Sequence, residues 1–275
     1  MLKKTIRDLR EKRKSMIAFN VQNLAQLKIL FDTATSSGHP VIAQFSSRYI
    51  NYLDEMIGLD RLVEKYQNNG VFFHLDHCLD LKIIKKSIET GFSGVMFDGS
   101  SYSIDENISI TNHIFETIKK EQSDTILEVE LGSIMGIEDG IEGSENADYF
   151  AMDDLAKMVE LGNFDLMALA IGNAHGEYES TSQVKPELLN DATQKFPDLD
   201  LVLHGGTGLP ELLIKECIDF GVVKINVSTD LKKITQDIYR SYTANEKYYN
   251  ENKCYDYLSK HLGPFYNKYI EAYTN

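Results

Sequence analysis

The chain has 275 residues, 43% of them hydrophobic and 25% charged, and a formal net charge of −14. These are ordinary values for a folded globular protein, and the acidic balance excludes a general nucleic-acid binder. No apolar run approaches the roughly 18–20 residues that a membrane span needs.

The chain opens on MLKKTIRDLREKRKS, which is basic but interleaved with acids and has no apolar signal core. The expected location is therefore the cytoplasm. From Met16 onward, short β-rich runs alternate with helix-length stretches. The runs are Met16–Asn20, Val41–Ser46, Val71–Asp76, Gly94–Gly99, Thr125–Leu131, Asp165–Ile171, Leu199–Gly205 and Val222–Ser228. Between them lie Asn23–Ser37, Leu53–Asn68, Asp80–Thr90, Asp105–Gln122, Asp153–Leu161, Pro186–Phe196 and Pro210–Phe220, and a further helix starts at Asp230. Strand followed by helix, repeated at this spacing, predicts an α/β protein of the (β/α)8 barrel type. An open doubly wound sheet is the alternative, but no Gly-x-Gly-x-x-Gly follows the first strand.

Local chemistry supports the boundaries. Asp80 and Asp153 are candidate N-caps, Gly38 and Gly91 sit where helices end, and Pro186 and Pro210 suit a first turn. One connection, Gly132–Met152, is long for a compact domain and reads as a functional loop. We expect one domain over 1–275, with 239–275 as a Tyr-rich helical extension packed outside the barrel. Cys78, Cys217 and Cys254 are odd in number and widely spaced, which fits reduced thiols rather than a disulfide framework.

In such barrels the active site lies at the C-terminal ends of the strands. Those ends carry Asn20; Gln44 and Ser46; Asp76 and His77; Asp98; Glu128 and Glu130; His175; His204; and Asn226, Ser228, Thr229 and Asp230. Three histidines thus converge on one rim, enough for the three-ligand site of a catalytic zinc. Asp76, beside His77, is the candidate proton-moving group. Strict alternation would put these two neighbours on opposite faces, so the strand must end or twist there. His74 is expected to satisfy a hydrogen bond inside the barrel, and Cys78 to be a packing residue. The turn His204-Gly-Gly-Thr-Gly208 and the neighbouring Asn226-Val-Ser-Thr229 offer backbone N–H groups to an anion, as phosphate cradles do.

The segments Ala18-Phe-Asn20, His74-Leu-Asp-His-Cys78, Gly91-Phe-Ser-Gly-Val-Met-Phe-Asp-Gly-Ser100, Glu128-Val-Glu-Leu-Gly132, Gly172-Asn-Ala-His-Gly-Glu-Tyr178, Leu203-His-Gly-Gly-Thr-Gly208 and Lys224-Ile-Asn-Val-Ser-Thr-Asp230 stand in one order over about 16–230. Together they resemble the class II, metal-dependent ketose-bisphosphate aldolases. The resemblance implies Zn2+ on His77, His175 and His204, with Glu130 an accessory acid, and a monovalent cation near the phosphate. It implies that Asp76 moves the proton at the aldehyde-derived oxygen. Glu138, in the long loop, would take the carbon-bound proton of dihydroxyacetone phosphate. Asn20, Ser46, Gly176, Gly205, Thr207, Asn226, Ser228 and Thr229 would hold the substrate, a small phosphorylated sugar. The implied assembly is a homodimer or homotetramer.

Two positions depart from the family pattern. Glu179 stands where a lysine near the phosphate is usual, and Ser259 stands where an arginine grips the second phosphate. Arg48, just past the second strand, could supply a cation instead. The enolate half of the reaction is then retained, while the second substrate need not be an ordinary phosphorylated aldehyde. A Schiff-base aldolase using Lys224, a non-catalytic protein on the same scaffold and, more remotely, a metal hydrolase are the competing readings.

Overall fold

The computed structural model describes residues 1–274, apart from 68–69, 122, 139–140, 143–147, 177 and 179; at 137, 138, 141 and 142 it describes the backbone alone. In chain order the elements are α1 (Leu2–Glu11), β1 (Met16–Asn20), α2 (Leu24–Ser37), β2 (Val41–Ser46), α3 (Ser47–Met56), α4 (Leu59–Tyr66), β3 (Val71–Cys78), α5 (Leu81–Thr90) and β4 (Gly94–Phe97). Then follow α6 (Ile104–Lys120), β5 (Ile126–Leu131), β6 (Ile137–Glu138), β7 (Ile141–Glu142), α7 (Met152–Leu161), β8 (Leu166–Leu169) and α8 (Glu187–Lys195). The chain finishes with β9 (Leu201–Leu203), α9 (Glu211–Asp219), β10 (Val222–Val227), α10 (Thr229–Asn245) and α11 (Glu251–Tyr273). Eight parallel strands close in the order β1-β10-β9-β8-β5-β4-β3-β2, and β6 and β7 form a separate antiparallel pair in the long loop. The (β/α)8 expectation therefore holds.

The barrel interior follows from period-two alternation along the strands. On β1, Ile17 and Phe19 face the helices and join the large outer core, whereas Met16 and Ala18 face inward. Continuing each inward row upward gives Met16-Ala18-Asn20, Ile42-Gln44-Ser46, Phe72-His74-Asp76 and Ile126-Glu128-Glu130. The interior is thus apolar at its floor and polar at its rim. Helix α1 closes the floor with Leu2, Ile6 and Leu9, all buried against those apolar positions.

Several boundaries differ from expectation. The stretch expected as one helix over Leu53–Asn68 is two, α3 and α4, separated by Gly58 at φ 86. Asp153 does not cap its helix; Ala151 occupies the N-cap, and Asp153 lies in the first turn, where its charge suits the helix dipole. Pro186 and Pro210 take N-cap rather than first-turn positions. Asp80 caps α5 through Lys82 N, and Gly38 and Gly91 end helices in the left-handed region, as expected. The C-terminal segment is α11 plus the end of α10. Its Tyr266 packs edge-on against Phe19 of β1, with ring centroids 4.7 Å apart. Ser15 N donates to Tyr273 O, and Thr274 Oγ1 donates to Ser15 O, tying the two ends of the chain together. Among the described residues, no helix is long and apolar enough to cross a membrane.

Candidate active site

The site begins where alternation breaks. Strand β3 runs on past Asp76 to Cys78, and His77 adopts φ 38, an uncommon value for a residue with a side chain. The register against β4 shifts between Leu75 and Cys78. This local twist turns Asp76 and His77 to the same rim. The left-handed residue costs about 1–2 kcal/mol, and the bonds that Asp76 and His77 then make offset it.

His77, His175 and His204 come together, with ring centroids 5.0 Å apart for His77–His175, 4.7 Å for His77–His204 and 6.0 Å for His175–His204. His77 Nε2 faces His204 Nδ1 at 2.9 Å. The outer nitrogens of both rings are held by carboxylates: His77 Nδ1 lies 2.8 Å from Asp98 Oδ2, and His204 Nε2 lies 2.9 Å from Glu128 Oε1. Carboxylates on the far nitrogens and ring nitrogens turned inward are how metal-binding imidazoles are oriented. One donor atom from each of the three histidines lies within 4.8 Å of the others, and the same holds for His77, Asp98 and Glu130.

Charge supports the same conclusion. Among the described residues, the buried acids are Asp76, Asp98, Glu128 and Glu130, against a single buried ammonium, Lys224. Burial and the nearby Asp98 hold the Glu130 carboxyl well above the usual carboxylate range, and its Oε2 has no hydrogen-bond partner. Burial disfavours a charged His77, yet Asp76, Asp98 and Glu130 outweigh it and raise its pKa well above the ordinary imidazole value. Four buried carboxyl groups against one buried ammonium, around inward-facing imidazoles, make a donor set that fits a divalent cation.

Below the rim lies a polar layer that the sequence did not separate from it. Glu128 is fully buried, with Lys224 Nζ 3.1 Å from Oε1 and 2.8 Å from Oε2. His74 Nε2 stands 3.2 Å from Glu128 Oε2, a close polar contact outside strict hydrogen-bond geometry, and burial lowers the His74 pKa. Burial would raise the Glu128 pKa, but Lys224, His204 and His74 hold it well below the usual range. Lys224 is committed to this pair in a fully buried position, which removes the basis for the Schiff-base reading. Cys78 is buried as expected, and burial pushes its thiol up to about 11.

Asp76 is held by two asparagines, each of which lines a separate opening. Asn20 Nδ2 donates to its Oδ2 at 2.6 Å, and Asn226 Nδ2 donates to its Oδ1 at 3.3 Å. Asn226 lines a small cleft together with His175, Gly176, Gly205, Thr207, Ser228 and Thr229, so the expected phosphate residues are gathered in one place. Close packing explains one of the glycines: Gly205 has φ 62, and a Cβ there would lie 2.1 Å from Ala174 O. Ser228 Oγ is buried without a partner, a ready donor for an anion. Asn20 and Ser46 line a different, larger cavity of about 690 Å³.

Sequence reasoning missed three contributors. Lys232, one turn into α10 from Thr229, also lines the cleft; spacing of three from Thr229 was its signal. Tyr178 OH accepts from Ala174 N and donates to Gly205 O, both at 2.8 Å, strapping together the loops that bear His175 and His204. Asn173 Nδ2 donates to His204 O at 2.9 Å and fixes the same pair of loops. Glu138 lies in β6 with its side chain outside the described residues, and Glu179 is also outside them.

The family model for class-II fructose-bisphosphate aldolase matches residues 1–274. The chain is 31% identical over 256 residues to the 6-phospho-5-dehydro-2-deoxy-D-gluconate aldolase of Bacillus subtilis, covering 90% of this chain and 86% of that protein. It is 32% identical over 264 residues to the fructose-bisphosphate aldolase of Streptococcus pyogenes serotype M1, covering 92% of this chain and 88% of that protein. Among solved structures, the YdjI aldolase from Escherichia coli K12 superposes with a TM-score of 0.84 at 24% identity, covering 99% of this chain and 96% of that one. The fructose-bisphosphate aldolase from Campylobacter jejuni gives 0.80 at 24% identity, covering 99% and 93%. At that identity the superpositions speak for the fold alone. The family match, running from end to end over the strand-end residues just described, is decisive: the chain belongs to the class-II fructose-bisphosphate aldolase family and is an aldolase, a carbon–carbon lyase.

Proposed function

We propose that this aldolase cleaves and forms a ketose phosphate whose enolised half is dihydroxyacetone phosphate, with zinc held by His77, His175 and His204. The single observation that carries the reading is Asp76, held by Asn20 on one side and Asn226 on the other, next to inward-facing imidazoles. A divalent metal there supplies Lewis-acid stabilisation of negative charge developing on the ketone side of the substrate. The remaining work belongs to the chain. The cleft of Gly176, Gly205, Thr207, Ser228 and Thr229 binds the phosphate through N–H and hydroxyl donors, with Lys232 adding positive charge. Asp98 and Glu128 fix the orientation of His77 and His204. Asp76 gives a proton to the new alkoxide in condensation and takes it back in cleavage. Glu138 is assigned the carbon-bound proton on the family resemblance alone.

The test is solvent exchange of the carbon-bound proton of dihydroxyacetone phosphate, followed by NMR in D2O, alongside aldol cleavage of a panel of ketose mono- and bisphosphates. Exchange and cleavage are expected with zinc, lost in chelator, and restored when zinc is returned. A protein that binds zinc stoichiometrically yet neither exchanges nor cleaves would sink the reading.

A further inference from the structure

The phosphate cleft is built partly on the first turn of α10, and that turn carries a carboxylate. Asp230 follows Ser228 and Thr229, both of which line the cleft, yet Asp230 lies outside its wall. An acid in a first turn suits the helix dipole. Beside an anion site it also competes, because phosphate draws on the same N–H groups and the same positive end. Tyr269, on the outer helix α11, holds the Asp230 side chain: its hydroxyl donates to Asp230 Oδ2. Burial and the Asp230 carboxylate both push the Tyr269 phenol well above its ordinary pKa, so it stays a donor.

The ring of Tyr269 is fixed by its neighbours. On the same helix Phe265 lies 5.1 Å away and Tyr273 6.3 Å away, and Phe19 of β1 meets the ring edge-on at 5.9 Å and 85°. Phe19 is fully buried, so the clasp is anchored on the barrel itself rather than on a loose end. Phenylalanine would serve this packing equally well; the hydroxyl is the part that reaches Asp230.

The backbone of Asp230 has a second task. Its N–H donates to Thr207 Oγ1 at 3.3 Å, joining α10 to the turn after β9. Thr207 is buried and lines the cleft. A hydroxyl has one proton to give. With a lone pair of Thr207 taken by a helix N–H, its O–H is left to donate into the cleft. Asp230 therefore orients one phosphate donor through its backbone, while Tyr269 holds its carboxylate aside.

We propose that Tyr269 is a positioning residue for phosphate binding: by clasping the Asp230 carboxylate on the α11 side, it keeps a negative charge out of the cleft and the first turn of α10 in register with Thr207. The proposal rests on the reading of this cleft as the phosphate site. It makes the helix outside the barrel part of the electrostatics of binding, although Tyr269 does not line the cleft.

The experiment measures the Kd of dihydroxyacetone phosphate by calorimetry on the full-length, zinc-loaded enzyme, at low and at high salt, alongside kcat for exchange of its carbon-bound proton. Tyr269→Phe keeps the ring and removes the hydroxyl. It is expected to raise Kd roughly 3- to 10-fold, the worth of one net hydrogen bond. Its kcat should change by less than about twofold, since binding and not chemistry is affected. The rise relative to wild type should shrink at high salt, because a freed carboxylate acts on the phosphate through charge. Asp230→Asn in the Tyr269→Phe background removes that charge and is expected to return Kd to within about twofold of the wild type. Thermal melts of the variants check folding. An unchanged Kd in Tyr269→Phe overturns the proposal. So does a raised Kd that persists in high salt or in the double variant, which would reduce Tyr269 to packing. Thr207→Val tests the underlying reading separately. If its Kd is unchanged, the cleft is not the phosphate site; if its Kd rises and that of Tyr269→Phe does not, only the role of Tyr269 falls.

Discussion

Asp76→Asn is expected to slow aldol cleavage by roughly 10²- to 10⁴-fold, the usual contribution of a positioned proton donor and acceptor. The substitution conserves size, so the loss reports chemistry rather than a cavity. In the native site both Asp76 oxygens accept hydrogen bonds from amide donors, Asn20 on one and Asn226 on the other. An asparagine offers one oxygen and one N–H2 group, so one of those neighbours meets a donor instead of an acceptor. That mismatch costs about 1–3 kcal/mol if nothing rearranges, and it is a stability effect visible in the melting curve. The diagnostic comparison is exchange of the carbon-bound proton of dihydroxyacetone phosphate. That step does not involve the aldehyde-derived oxygen, so it is expected to fall far less than cleavage. Equal losses in exchange and cleavage would move Asp76 from the aldehyde oxygen to the orientation of His77.

Glu128→Gln is expected to destabilise the fold by about 3–5 kcal/mol, because it leaves Lys224 as an uncompensated buried charge. Lys224→Met alone should cost a comparable amount for the reciprocal reason. The double variant Glu128→Gln/Lys224→Met removes both charges and is expected to be more stable than the sum of the single losses. Chemical denaturation of the four proteins at saturating zinc closes the cycle, and strict additivity would show that the pair does not couple. Glu128 also holds His204 Nε2, so its loss should weaken zinc binding by roughly 10- to 100-fold. Titration against a competing chelator measures that directly, and unchanged affinity would remove Glu128 from the support of His204.

The repeating unit and the strand-end residues were legible in the sequence because each depends on local periodicity. Once β3 and β5 are recognised, His77 and Glu130 must lie near the rim. The floor plug was not legible. Leu2, Ile6 and Leu9 form a helical stripe inside a heavily charged stretch, and only the barrel above them shows what they cover. The split between a rim layer and the Glu128–Lys224–His74 layer beneath it was also hidden, because both layers consist of polar residues two apart on the same strands. Arg48 and Lys232 were ambiguous for the opposite reason: a cation early in a helix is common, and only the cavities distinguish these two from surface charge. The twist at His77 was required by the chemistry, but its form, a single left-handed residue with a register shift, follows from packing against β4.

The closure of the barrel also bears on how the site comes into being. β1 pairs with β10, and the segment at Ser15 is bonded to Tyr273 and Thr274, so the seam joins parts of the chain more than 200 residues apart. Contacts of that sequence separation form slowly, since loop closure must precede any gain from them. Asn20 comes from one side of this seam and Asn226 from the other, and together they fix the Asp76 carboxylate on β3. A partly folded chain can therefore hold β2 to β5 in place and still lack a positioned Asp76. On refolding from denaturant, the helical signal should return first and aldol cleavage last, with a lag set by the joining of the chain's two ends; simultaneous recovery would mean that the seam closes with the rest.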